Sequence, residues 1–229
     1  MPRKKLPAKK IQWTPKLAYA IGLLVTDGCL SSDGRHIILR SSDIEQIETF
    51  KQCLGVYNKM EKTKHNGWAK RPAYRIQVGD VGLYRWLLTI GLFPNKTYTI
   101  GKIIIPDKFF KDFLRGHLDG DGCVTTYQDS YNTFKNPKYI YTRLIMRFIS
   151  ASEEHMIWLR ETTYRLSGIK GDLHEYKPKR DYQTTSMWQL KFMKKASMKL
   201  IPWIYYSKDV PCLQRKRIYA EKALSRILK

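Results

Sequence analysis

An α+β fold, built as a pseudo-twofold tandem repeat of αββαββα halves with an antiparallel β-saddle on two packed central helices, is what this sequence predicts. Three observations lead there. A short motif occurs twice in one register. Apolar residues precede each copy at helical spacing, and alternate with polar ones in the segments that follow. Each copy also opens the same succession of strand-like and helix-like segments.

The two copies are AIGLLVTDGCL at 20–30 and LRGHLDGDGCV at 114–124. Gly22 and Gly116 stand 94 residues apart, as do Asp27 and Asp121, Gly28 and Gly122, and Cys29 and Cys123. After the first copy comes HIILRSS, a strand by its β-branched, alternating residues. SDIEQIETFKQCLG then reads as a helix opened by a capping box from Ser42 to Glu45. YRIQVGD leads into VGLYRWLLTIGL as a second hairpin and helix. The second half repeats this with YTRLIMRFIS, a helix boxed by Ser150 and Glu153, then SMWQLKFM and KKASMKLIPWIYY. TTYQDSYNTFKNPKYIYT lengthens its first hairpin. The organisation expected is a basic arm over 1–10, a first half over 11–101, a join over 102–110 around IIIPDKFF, and a second half over 111–229.

Composition bounds the partner. Lys and Arg outnumber Asp and Glu by 42 to 20, a net charge of +22 in 229 residues with pI near 9.8. So large an excess calls for a polyanion as counterweight. Five of the first ten residues are basic, which suits an arm lying on phosphate or an organelle or nuclear address. No apolar run suggests a signal peptide or membrane span, so a soluble intracellular protein with no membrane partner is expected. Cys29, Cys53, Cys123 and Cys212 form no C-x-x-C pair, so reduced thiols and no structural zinc are expected.

The motif itself poses a cost. Glycine inside a helix is worse than alanine by about 1 kcal/mol, and a carboxylate at a helix C-terminus faces the negative end of the dipole. Gly22 and Thr26 lie at i and i+4 on one helix face, as do Gly116 and Gly120, and small residues at that spacing let two helices approach closely. Packing along those faces brings Asp27 and Asp121 side by side at the helix ends. There they suit a hard divalent ion such as Mg²⁺. A single Asp-Gly could be no more than a left-handed helix cap. A calcium loop is excluded because Cys123 takes the third ligand position and Val25 stands where the second copy has Asp119.

AIGLLVTDG and LRGHLDGDG resemble the two signature motifs of single-chain LAGLIDADG homing endonucleases, over nearly the whole chain from Ile11 onward. The resemblance implies a monomeric, site-specific double-strand DNA endonuclease using Mg²⁺, or another divalent ion such as Mn²⁺. Asp27 and Asp121 would bind the metal, helped by the carbonyls of Thr26 and Gly120. The chain departs from the pattern at Val25, Thr26 and Gly120, which lack the family's carboxylate, and Asp119 is expected to matter less than Asp121. Family members also carry a basic residue near the scissile phosphate in each half. Lys96 and Lys216 are the candidates, with Lys208 as runner-up. An RNA-binding intron maturase, or a DNA-binding regulator without cleavage, are the alternatives on the same fold.

Strand alternation gives candidate DNA contacts. Arg75 and Gln77 oppose Ile76 and Val78; Arg143 and Arg147 oppose Leu144, Met146 and Phe148; Gln189 and Lys191 oppose Trp188, Leu190 and Phe192. One face is core and the other carries side chains that read base edges in the major groove. Arg40, Lys62 and Lys64 are further candidates. The two halves differ in almost every strand residue, so the target is expected to be long and not palindromic.

Overall fold

The computed structural model describes residues 11–63, 72–178 and 185–228. Helix α1 (Pro15–Thr26) starts at Thr14, whose hydroxyl accepts from the Leu17 amide at 3.0 Å, with Pro15 in the first turn where no N–H is needed. Every residue from Leu17 to Val25 is buried, the pattern of a helix with protein on all sides. Strands β1 (Gly28–Leu30) and β2 (His36–Ser41) form the first hairpin. Then come α2 (Ile44–Leu54), the second hairpin of β3 (Met60–Thr63) and β4 (Ala73–Gly79), and α3 (Val81–Thr89). Two short 3₁₀ turns, Lys96–Tyr98 and Asp107–Phe109, lie on the way to α4 (Phe110–Gly120). The second half continues with β5 (Cys123–Asp129), β6 (Tyr141–Ser150), α5 (Glu153–Ser167), β7 (Asp172–Tyr176), β8 (Met187–Phe192) and α6 (Lys194–Ile204).

The sheets are antiparallel throughout and have the same topology, β1-β2-β4-β3 and β5-β6-β8-β7. Ile37, Leu39, Ile76 and Val78 turn one face of the first sheet into the core, and Leu144, Met146, Phe148, Leu190 and Phe192 do the same in the second. α1 and α4 pack on each other between them, within one continuous apolar cluster. The mixed α+β architecture is the one the sequence predicts.

Three local expectations are corrected. α2 is capped by Asp43, whose side chain accepts from the Glu45 amide at 3.1 Å, and α5 by Ser152, which accepts from His155 N at 3.3 Å. Ser42 and Ser150 are therefore not the caps. The cap must be the extended residue directly before the first helical one, and Ser150 instead accepts from Ser152 N, as Ser41 does from Asp43 N. A further helix, α7 (Gln214–Leu228), follows α6, so Lys216 lies in a helical first turn and not in a turn between elements. That turn joins the halves: Arg215 pairs with Asp43 at 2.6 Å, and Gln214 N donates to Glu45 at 2.9 Å.

Candidate active site at the ends of the helix pair

The helix approach is as close as backbones allow. A Cβ added at Gly22 would lie 2.7 Å from His117 N and 2.9 Å from the Gly116 carbonyl carbon. One at Gly116 would overlap the Tyr19 carbonyl oxygen and reach Gly22 Cα at 3.1 Å. Further along, a Cβ at Gly120 would run into the Thr26 side chain and come within 2.8 Å of the Asp27 carboxylate. Gly22, Thr26, Gly116 and Gly120 thus all face the partner helix. Gly28 and Gly122 have an equivalent constraint of their own, because a Cβ there would strike Leu24 Cα at 2.6 Å and Leu118 Cα at 2.7 Å.

Asp27 and Asp121 are the C-caps of α1 and α4. Asp27 Oδ2 accepts from Gln46 Nε2 at 2.6 Å and from Thr26 Oγ1 at 3.3 Å. Burial raises its pKa, with both hydrogen bonds acting against the rise. Asp121 reaches solvent, yet crowding by protein and then the charge of Asp27 push it up to about 6. Each carboxylate feels Lys96 and Lys216.

The two lysines occupy equivalent places although they are 120 residues apart. Lys96 Nζ donates to the Gly28 carbonyl at 2.6 Å. Lys216 Nζ donates to the matching Gly122 carbonyl at 2.8 Å, and also to Leu118, Asp119 and Gly120 at 2.7, 2.7 and 3.2 Å. A cation at that end of α4 satisfies carbonyls the helix leaves unpaired and complements its dipole. Burial lowers the pKa of both ammonium groups. Lys208 is exposed in a cleft that Glu45, Glu48 and Asp209 also line.

Two nearby residues have roles that sequence reasoning missed. Gln46 holds Asp27, a contact that depends on how α2 docks and has no signature in the motif. Asp119 is buried, accepts from Tyr19 OH and Leu213 N at 2.8 Å each, and so ties α4 to α1 and to the approach to α7. Where α2 presents Gln46, the third residue of α5 is His155, which stacks on His117 at 5.3 Å and donates from Nδ1 to the Gly101 carbonyl at 2.8 Å.

This packing makes stability depend on pH. Burial pushes His155 down to about 4 and Asp119 up to about 6. An unfolded chain protonates its histidines near 6.5, so the His155 contribution is whole above that value and is lost as pH falls toward 4. Asp119 and Asp121 act oppositely: the folded protein takes up their protons near 6 and the unfolded chain near 3.8, so acidification through that window favours folding. We expect His155→Gln to lose less stability than the native protein between pH 6.5 and 4, read as urea unfolding free energy across a pH series. An unchanged slope would remove His155 from this account.

On the strands, register decides which candidates share a face. Arg40 lies opposite Arg75, and Gln77 opposite Ile38, away from the core. Arg147 lies opposite both Cys123 and Lys191, Gln189 opposite Ile149, and Arg143 opposite Tyr127, on the corresponding face of the second sheet. Several are held in place: Arg75 by Gln77, Arg147 by Thr125 at 2.9 Å, Arg143 by Asp129 at 2.6 Å, and Lys191 by Tyr176. Lys62 is corrected. It pairs across from Tyr74, on the side of Met60 and Ile76 that faces the core, and Glu61 takes the reading side opposite Arg75. Lys64 and the arm over 1–10 lie outside the described residues.

All four cysteines are free thiols. No described helix is long and apolar enough to cross a membrane.

No protein-family model and no curated protein matches this sequence. Solved structures do match. The I-SmaMI LAGLIDADG homing endonuclease bound to cleaved DNA aligns with TM-score 0.58 and 14% identity, over 95% of this chain and 89% of that one. The I-LtrWI LAGLIDADG homing endonuclease bound to target DNA gives 0.56 and 11%, over 93% and 91%. Full-length DUF199/WhiA from Thermatoga maritima gives 0.54 and 14% over 95% of this chain, which spans 63% of its length. At such identities the likeness is one of fold, and the fold that this chain shares with those proteins is the LAGLIDADG-like arrangement of two antiparallel sheets and a central helix pair.

Proposed function

We propose that the protein is a monomeric, divalent-metal-dependent endonuclease that hydrolyses both strands of a long, non-palindromic DNA target. One observation carries this reading: two aspartates 94 residues apart meet at the ends of a tight helix pair, each followed by a glycine whose carbonyl accepts from a buried or half-buried lysine.

The donor set fits Mg²⁺ or Mn²⁺. It consists of hard oxygens only, the carboxylates of Asp27 and Asp121 with the carbonyls of Thr26 and Gly120. Among the described residues no group of three His, Cys, Asp or Glu side chains surrounds a common point, so carbonyl, water and phosphate oxygens would complete the shell. The charge of Asp27 raises the cost of ionising Asp121, and a cation relieves that cost. A bound ion supplies Lewis acidity and a more acidic water. The chain's own groups do the rest. Gln46 orients Asp27, while Lys96 and Lys216 set the ends of the motif helices and place positive charge beside phosphate as charge develops on it. Arg40, Arg75, Gln77, Arg143, Arg147, Gln189 and Lys191 are the proposed DNA contacts, and phosphate pairing provides most of the affinity.

The test is a nicking assay with Mg²⁺ on a library of duplex targets, with light scattering for oligomeric state. A recovered, cut, asymmetric site and a monomer are expected. Enrichment of a bound but uncut site would favour a DNA-binding regulator on the same fold. Binding only to intron RNA would favour a maturase, and a palindromic site or stable homodimer would overturn the monomer.

A further inference from the structure

The β5–β6 connection displays rings that the core does not use. It runs over residues 130–140, where the equivalent β1–β2 turn takes only 31–35 and contains no aromatic residue. Tyr131 is 81% and Phe134 73% exposed. Water normally disfavours such a display, and these rings are held rather than loose. Tyr131 and Phe134 meet edge to face at 6.3 Å, and Tyr139 stacks on Tyr141 at 6.2 Å. Successive turns fix the backbone beneath them: Asp129 accepts from Tyr131 N, Ser130 O from Thr133 N, Asn132 O from Lys135 N, and Asn136 O from Tyr139 N.

Charge and position indicate the occupant. Lys135 lies over the Phe134 ring at 5.5 Å, and Arg143 over the Tyr141 ring at 5.9 Å. By strand alternation, Tyr141 sits on the same open face as Arg143 and Arg147, opposite the buried Leu144 and Met146. Tyr141, with Tyr139 stacked on it, therefore extends the face that carries the proposed DNA contacts, and the Tyr131–Phe134 pair belongs to the same connection. A duplex offers base edges and phosphates along its length, but a ring can stack only on a base whose face is open. Aromatic rings interleaved with cations are the chemistry that holds unpaired bases.

We propose that the β5–β6 connection is a stacking platform for unpaired nucleobases next to the duplex on the second sheet. This rests on the nucleic-acid reading above and adds to it that the nucleic acid is single-stranded, frayed or looped at this end. A rigid platform loses little entropy on binding, which suits the hydrogen-bonded turns.

The test uses the full chain, in chelator so that nothing is cut. Fluorescence anisotropy compares a blunt labelled duplex with the same duplex carrying oligothymidine or oligouridine extensions. We expect extension to tighten binding by about tenfold, the worth of one stacked base. The doubly substituted Tyr131→Ala, Phe134→Ala protein should lose that gain and bind the blunt duplex as before, whereas Tyr131→Phe should keep it. The deoxy and ribo arms show which strand chemistry the platform prefers. Equal affinity for blunt and extended probes in the native protein would overturn the platform while leaving duplex binding standing. Equal loss on both probes in the alanine protein would overturn it too. Loss on Tyr131→Phe would assign the ring to a phosphate hydrogen bond instead. No binding to any probe would sink both readings.

Discussion

Asp121→Asn, and equally Asp27→Asn, is expected to stop DNA cleavage while leaving specific DNA binding intact. The amide keeps the shape of the side chain and loses the charge that retains a divalent ion. The rate should fall on the order of a thousandfold or more, because several kcal/mol of charge stabilisation leave with the ion. Gln46 can still donate to the remaining amide oxygen at position 27, so the local fold is kept. The free protein should not suffer. Asp121 is raised to about 6 partly by the charge of Asp27, so asparagine at 27 removes repulsion and lets Asp121 move back toward the ordinary carboxylate value. Without metal the carboxylates also repel DNA phosphates, so each variant should bind as tightly as the native protein or slightly more tightly. A gel-shift titration in chelator, a cleavage assay in Mg²⁺ and thermal unfolding together measure the whole claim. Near-native cutting of both strands by either variant would end the paired-aspartate mechanism, and loss of binding by a folded variant would give these residues another role.

The repeated motif made the central geometry legible because close helix packing leaves a compositional trace. Only glycine fits at position 116, where an added Cβ would overlap the Tyr19 carbonyl oxygen and lie 3.1 Å from Gly22 Cα. Strand faces were legible for the same reason: Ile76, Val78, Leu144 and Met146 alternate with Arg and Gln because one face is dry. What escaped depends on how distant segments dock. Gln46 reaches Asp27 only through the docking of α2 on α1, and Asp119 reaches Tyr19 and Leu213 across 100 and 94 residues. The side on which Lys62 lies could not be read because β3 is short and its four residues, MEKT, carry too little alternation to set the register. α7 was hidden by its charge, since QRKRIYAEKALSRIL buries only Arg217, Ala220 and Ala223. Lys96 and Lys216 stand at unequal spacing in the sequence and at equal places in the fold, so the repeat alone could not pair them.

Gly116→Leu is expected to abolish the native fold, and Gly116→Ala to weaken it against its own helix propensity. In an ordinary helix the change from glycine to alanine gains about 1 kcal/mol. Here the added Cβ would overlap the Tyr19 carbonyl oxygen and crowd its carbon at 3.0 Å. These are backbone atoms of the facing helix, which cannot rotate aside as a side chain can, so the helices must separate. Separation would open the apolar seam of α1 and α4 and draw Asp27 away from Asp121. Overpacking of this kind costs about 1–3 kcal/mol for a methyl group and more for an isobutyl group. Set against the propensity gain, alanine should cost up to about 2 kcal/mol net, which for a chain of this length lowers the unfolding midpoint by a few degrees and at most by roughly 8 °C. Leucine should leave no cooperative transition. Cys123 lies at the start of β5, is only half-buried and faces Arg147, so Cys123→Ser should shift the midpoint little and serves as the control. Differential scanning calorimetry on the three variants decides the matter: a Gly116→Leu protein that unfolds cooperatively near the native midpoint would mean that the helices do not meet at Gly22 and Gly116.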